Sequence, residues 1–209
     1  MSKKLYYCTL SSKRIILASC SPRRISLLKQ WGLSFLVIPS NTNETSYLKK
    51  PSFIVKELAL RKANSIAKQY KNSVVLAADT IVVLNGQVIG KPKGKKESKK
   101  IIKELNGSIH KVYTGVAIVE GGRRDVFYDV SKVKMKKLPQ KNLKQLFGKH
   151  MDKAGSYAVQ DTQDDFVEKI YGDYYTVVGL PYIKLTQELK KFNIYLKPAN
   201  ISKRLSPTK

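Results

Sequence analysis

Acid is scarce in this chain for its size. Fifteen Asp and Glu stand against 40 Lys and Arg, a formal net charge of +25 over 209 residues. An anionic partner is indicated but not specified, because nucleic acid, an acidic membrane surface and a nucleoside triphosphate would all be attracted. Cysteine is nearly absent too. Cys8 and Cys20 make neither a disulfide framework nor a paired metal knuckle, which places the chain in a reducing cytoplasm with free thiols. His110 and His150 are too few for a histidine-rich zinc site, and no HExxH motif or Gly-x4-Gly-Lys-Ser/Thr loop occurs, so zinc-hydrolase and P-loop chemistry drop out. The 12 glycines have no period, which excludes collagen, and no uncharged apolar stretch approaches the roughly 18 residues of a membrane span. Lys3 and Lys4 precede an apolar patch, but it is short, contains Tyr6, Tyr7 and Thr9, and soon meets Lys13 and Arg14. It does not read as a signal peptide.

What remains is enough for a core. The chain is 42% hydrophobic, and a domain typically has about 100 to 200 residues, so one α/β domain over 1–192 is expected, followed by a basic, solvated tail over 193–209. Apolar runs predict strands over 15–17, 35–38 and 74–84. Ser21 and Pro22 open a helix predicted over 22–31, with Gly32 as its cap. Pro51 opens a second helix, in which Val55, Leu58, Ala59, Ala63, Ile66, Ala67 and Tyr70 share one face. Asn85-Gly86 signals a tight hairpin returning through 87–89. A helix is predicted over 97–105, a further hairpin over 111–119 and 125–135 about Gly121-Gly122, a short helix over 142–147, and a last helix from Pro181.

Three features are hard to explain as structure alone. Asp79 is the sole charge in the apolar run from Val74 to Leu84, and an ionised carboxylate there is costly unless a cation, metal or donor meets it. A strand-end Asp paired with a nearby lysine is the plain alternative. Lys62 lies within the apolar stripe of its helix, three residues after Ala59 and four before Ile66; it either snorkels at the edge or reaches into a cleft. Ala18-Ser19-Cys20-Ser21-Pro22-Arg23-Arg24 combines a helix start, two hydroxyls and two guanidiniums, which suits a phosphate as well as an ordinary capped helix. Cys8 and Arg14 have the Cys-x5-Arg spacing of a cysteine phosphatase, but no glycine lies between them and Arg14 runs into a strand. That spacing is taken as chance.

The ordered set resembles the Maf family of nucleoside triphosphate pyrophosphatases, related in fold to the inosine triphosphatase group. It is carried by Leu17-Ala18-Ser19-Cys20-Ser21-Pro22-Arg23-Arg24, Ser40-Asn41-Thr42-Asn43-Glu44, Lys62-Ala63, Ala78-Asp79-Thr80, Gly90-Lys91-Pro92, and the stretch from His110 to Val116. Asp152-Lys153-Ala154-Gly155, Gly172-Asp173-Tyr174-Tyr175 and Val178-Gly179-Leu180-Pro181 complete it. The resemblance implies a twisted mixed β-sheet flanked by helices, two lobes around a deep cleft, and a homodimer. It implies hydrolysis between the α and β phosphates with a divalent metal, Mg²⁺ or Mn²⁺, and a possible link to septum formation or growth arrest. By position Asp79 matches the general base. Ser19, Arg23, Arg24, Lys62 and Lys91 match phosphate-binding residues, and Glu44 with Asp79 the carboxylates for metal and water.

At Arg23, Thr80 and Gln160 the chain resembles the branch preferring thymidine and uridine triphosphates, so dTTP and UTP are expected; 7-methylguanosine triphosphate and other modified nucleotides are the alternative. After Gln160 the family usually has a glycine-containing stretch, whereas this chain has Asp161-Thr162-Gln163-Asp164-Asp165. Lost glycines restrict the backbone and added carboxylates oppose a polyanion, so this loop is expected to shift base preference or to hold extra metal. The positive charge leaves a basic nucleic-acid-binding protein as the competing class, through the tail if at all, although no recognition helix or RNP motif is present.

Overall fold

The computed structural model describes residues 13–199; Cys8, the N-terminal apolar patch and the tail beyond residue 199 lie outside the described residues. Strand β1 (Arg14–Leu17) leads through Ala18-Ser19-Cys20 into helix α1 (Pro22–Gln30). Proline at the first helical position starts α1 where its missing N–H costs nothing. The Ser21 hydroxyl is not the cap; instead the Ser21 N–H donates to Ser19 Oγ at 3.2 Å. Gly32, at φ +73°, reverses the chain in the left-handed conformation just past the helix.

The chain continues through β2 (Leu36–Val37), α2 (Pro51–Ala67) and β3 (Ser73–Leu84). It goes on through β4 (Gln87–Ile89), α3 (Lys95–Leu105), β5 (Ile109–Glu120), β6 (Arg123–Met135) and α4 (Gln140–Leu143). β7 (Val167–Tyr171), α5 (Tyr174–Val178) and α6 (Tyr182–Lys190) complete the order. The seven strands form one sheet, β2-β1-β3-β5-β6-β7, with β4 added to β3. It is mixed: β1 lies parallel to β2 and β3, and the remaining pairs are antiparallel.

Alternation along β3 distributes the core. Leu76 and Ala78 pack with Leu27, Leu28 and Trp31 of the α1 region and Leu185 of α6, while Val75 and Ala77 pack on Ala59, Ala63 and Ile66 of α2. Farther along, Val82 and Leu84 enter a second core with Ile102 and Leu105 of α3 and Met135 of β6. The long central strands thus serve two lobes. Gly115 lets α2 lie against β5, since a Cβ there would sit 2.3 Å from the Val55 carbonyl oxygen.

Two elements escape sequence reading. β7 is a half-exposed edge strand of sequence Val-Glu-Lys-Ile-Tyr with no clean alternation, and α5 is only five residues long. Residues 193–199, expected to belong to a solvated tail, pack on the core. Ile194 is 1% exposed within the α1 core, and the Lys197 N–H donates to the Trp31 carbonyl at 2.8 Å. Ile194, the partly buried Leu196 and Ala199, and the backbone pin this segment, too short a set to register as a repeat. Among the described residues no helix is long and apolar enough to cross a membrane.

Candidate active site

The cleft lies where the sheet has an open edge. On one side β3 is paired throughout by β5. On the other, β1 covers it only from Ser73 to Leu76, and β4 only from Val82 to Leu84. Between them the side chains of Asp79 and Thr80 point to opposite faces of the strand yet both reach one cleft of about 300 Å³. Ser19, Arg23, Arg24, Glu44, Lys62, Asp79, Thr80 and Lys91 all line it. Eight of the nine residues singled out from the sequence are therefore brought together.

Asp79, on the α2 side of β3, is 8% exposed, and Lys62 is 7% exposed. Lys62 Nζ donates to Asp79 Oδ1 at 2.6 Å and to Glu44 Oε1 at 2.7 Å; Lys91 Nζ meets the other Glu44 oxygen at 3.0 Å. The buried carboxylate is thus satisfied by a lysine, and the lysine of the apolar stripe reaches a cleft rather than the solvent edge. Partial burial pushes the Glu44 carboxyl up, but the hydrogen bonds and charges of Lys62 and Lys91 prevail and hold it down at about 2.

The loop carrying Glu44 is fixed by a residue that sequence reasoning missed. Arg61 Nη1 donates to the carbonyls of Asn43 and Thr45, each at 2.8 Å, and its other terminal nitrogen pairs with Glu57 one turn earlier on α2. Its partners are backbone oxygens 16 and 18 residues away, so no residue type or spacing announces them.

On the opposite face of β3, Arg24 is held at three points. Its Nε donates to the Gly179 carbonyl at 2.9 Å, Nη1 to Ser19 Oγ at 3.3 Å and Nη2 to Thr80 Oγ1 at 3.0 Å. A guanidinium has five N–H donors, so two stay available toward the cleft. Burial lowers the Arg24 pKa to about 10, against the pull of Asp79, and the group stays charged at neutral pH. Arg23 is likewise shifted down by burial, opposed by the charges of Asp152 and Tyr157.

Gln160 is the exception. It is exposed and absent from the cleft lining, where its neighbours Tyr157 and Val159 stand instead. Tyr157 is 6% exposed, and its hydroxyl lies 2.8 Å from His110 Nε2. The charges of the acidic loop after Gln160 do not line the cleft. Lys149 Nζ meets Asp161 Oδ2 at 2.8 Å and Asp164 Oδ1 at 2.5 Å, His150 Nε2 lies 2.6 Å from Asp164 Oδ2, and Lys136 pairs with Asp165 at 2.5 Å. Local cations neutralise the acids, and none of the three lines the cleft. Ligand atoms of His150, Asp161 and Asp164 lie within 4.8 Å of one another, a possible acidic cation site already bridged by Lys149.

A mixed α/β sheet whose open edge gathers cations and paired carboxylates in one cleft is chemically suited to an anionic, phosphate-bearing ligand. Residues 14–192 match the family model described as Maf-like protein, and the chain belongs to that family. It is 46% identical over 181 residues to the dTTP/UTP pyrophosphatase of Elusimicrobium minutum, covering 86% of this chain and 98% of the relative. To the dTTP/UTP pyrophosphatase of Shouchella clausii it is 47% identical over 186 residues, covering 86% and 96%; to that of Bacillus anthracis, 43% over 185 residues, covering 87% and 97%. Among solved structures it is similar in fold to the Staphylococcus aureus Ham1 protein, at a TM-score of 0.50 and 15% identity, over 87% of this chain and all of that one.

Proposed function

We propose that this chain hydrolyses dTTP and UTP to the nucleoside monophosphate and pyrophosphate. The observation that carries the reading is the meeting, in one cleft, of the α1 cations with the linked groups Asp79, Lys62, Glu44 and Lys91. A triphosphate carries about four negative charges, and fixed cations that need no reorganisation lower the barrier where charge develops. Arg23, Arg24, Lys62 and Lys91 supply them, with Ser19 beside the α1 N-terminus.

Glu44 and Asp79 are the residues that would hold a divalent cation. Both offer carboxylate oxygens, the ligand type Mg²⁺ and Mn²⁺ take, and in the structure these oxygens are held together by Lys62 Nζ, at 2.7 and 2.6 Å. When bound, the ion neutralises phosphate charge and lowers the pKa of water. Asp79 orients the attacking water and takes its proton. The water oxygen bonds to the α-phosphorus, and the bond to the bridging oxygen breaks with its electron pair leaving on pyrophosphate. With Gln160 outside the cleft, contact with the base falls to the Tyr157 and Val159 wall.

A nucleotide panel with Mg²⁺ or Mn²⁺, read as released pyrophosphate, tests the assignment. dTTP and UTP are expected to lead the panel; a lead for 7-methylguanosine triphosphate would overturn the base preference, and no cleavage of any nucleotide would overturn the activity. We place the enzyme in the cytoplasm as a homodimer, checked by sedimentation.

A further inference from the structure

We propose that Thr114, a buried residue of β5 that does not line the cleft, is a positioning residue for Arg24, acting through the hydroxyl of Thr80. The inference rests on the pyrophosphatase reading and adds to it the device that aims one of its cations.

The argument is one of donors and acceptors. Thr114 is fully buried, and its Oγ1 lies 2.7 Å from the Thr176 carbonyl and 2.9 Å from Thr80 Oγ1. A carbonyl can only accept, so the single hydroxyl proton of Thr114 is committed to Thr176. Between the two threonines Thr80 must then be the donor. On its other side Thr80 meets Arg24 Nη2 at 3.0 Å, and a guanidinium can only donate. Every proton in the chain Arg24–Thr80–Thr114–Thr176 is assigned, and all bonds run the same way.

Two consequences follow. The Thr80 hydroxyl cannot turn its proton toward Arg24, where it would repel the guanidinium, because Thr114 offers the acceptor that holds it. Facing the cleft, Thr80 presents only a lone pair, so it cannot grip a phosphate oxygen. Its part is to fix the plane of the arginine, together with Ser19 and the Gly179 carbonyl. The far end is anchored as well: Thr176 Oγ1 donates to Asp129 at 2.6 Å, and Asp129 pairs with Lys184 of α6 at 2.9 Å. Register places Thr80 and Thr114 directly opposite each other on β3 and β5, so the contact is built into the strand pairing.

The test is a double-mutant cycle on Thr114→Val and Arg24→Ala, each compared with Thr114→Ser, using UTP turnover and calorimetric binding of the α,β-methylene analogue of UTP. Thr114→Val keeps the shape and removes the acceptor. It is expected to weaken analogue binding and kcat/KM about tenfold with Arg24 present, and by less than twofold when Arg24 is already alanine. Thr114→Ser is expected to restore wild-type behaviour. An equal loss in both Arg24 backgrounds would overturn the proposal, as would wild-type binding by a folded Thr114→Val protein. If Thr114→Val does not fold, Thr114→Ala, which removes the same acceptor with less bulk, takes its place in the cycle. Failure of the wild-type protein to cleave any nucleotide would sink the underlying activity instead, and the analogue arm keeps the two outcomes apart.

Discussion

In the cleft, Lys62 reaches Asp79 at 2.6 Å and Glu44 at 2.7 Å; in the loop after Gln160, Lys149 reaches Asp164 at 2.5 Å and Asp161 at 2.8 Å. The pair lengths are alike, but their supports are not. Lys62 and Asp79 project from a 17-residue helix and a 12-residue strand, with side chains 9% and 11% exposed, into a shared cavity. Asp161 and Asp164 sit at a three-residue turn, where the Lys149 side chain is 39% exposed but those of Asp164 and His150 only 6% and 10%. The first cluster shares one cleft with the Arg23 and Arg24 cations, whereas the second is paired off by Lys149 and His150, and no arginine lines its cavity.

Breaking the first cluster should cost most. Asp79→Asn keeps the shape and removes the base, and turnover should fall about 10² to 10⁴-fold in the pyrophosphate assay with an unchanged circular-dichroism spectrum. A residual rate near wild type would return Asp79 to the rank of a structural ion-pair partner. Lys62→Met leaves Asp79 buried beside Glu44 without its cation, so unfolding free energy in urea should drop by about 3 kcal/mol. Equal stability of the two proteins would mean that water already screens the pair.

The second lobe gives a pH-dependent contrast. Burial lowers His110 from 6.5 to about 4, so the folded protein holds it neutral while the unfolded chain binds the proton more readily. This contribution is complete above 6.5 and is lost progressively as pH falls from 6.5 to about 4, in all about 3 kcal/mol. His110→Gln should flatten that part of the curve of Tm against pH, and an unchanged slope would assign the loss to other groups.

Smaller effects sharpen the comparison. Arg61→Ala frees the loop carrying Glu44 and should raise KM about threefold with a stability loss of about 1 kcal/mol; a KM within error of wild type would show that the loop holds itself. Asp164→Asn should leave kcat/KM within about twofold, while the loss of a buried carboxylate paired with Lys149 and His150 should lower stability by about 2 kcal/mol. A large loss of activity there would make the acidic loop part of the site after all.

Legibility in the sequence followed the range of the cause. The helix start at Ser21-Pro22, the turn at Asn85-Gly86 and the stripe of α2 are written in neighbouring residues, and they were readable. Asp79 and Lys62 stood out because each breaks an apolar pattern, so the conflict itself located them. That Gln160 is exposed and that the acids beyond it pair with Lys149, His150 and Lys136 was not legible, because a loop's direction depends on what packs beneath it. The packing of residues 193–199 was not legible because Ile194, Leu196 and Ala199 anchor too short a stretch to register as a repeat.

Composition and periodicity by themselves determined that the chain folds as an α/β protein with an excess of positive charge, and that a carboxylate and a lysine in greasy surroundings required partners. Tertiary structure decided who those partners are. The gap between β1 and β4 on one edge of β3, the docking of α2 across Gly115 and the strand register that sets Thr80 opposite Thr114 are long-range events. Hydrogen bonds and ion pairs act over a few ångströms in space, and the local sequence carries no record of which distant residue will arrive within that reach.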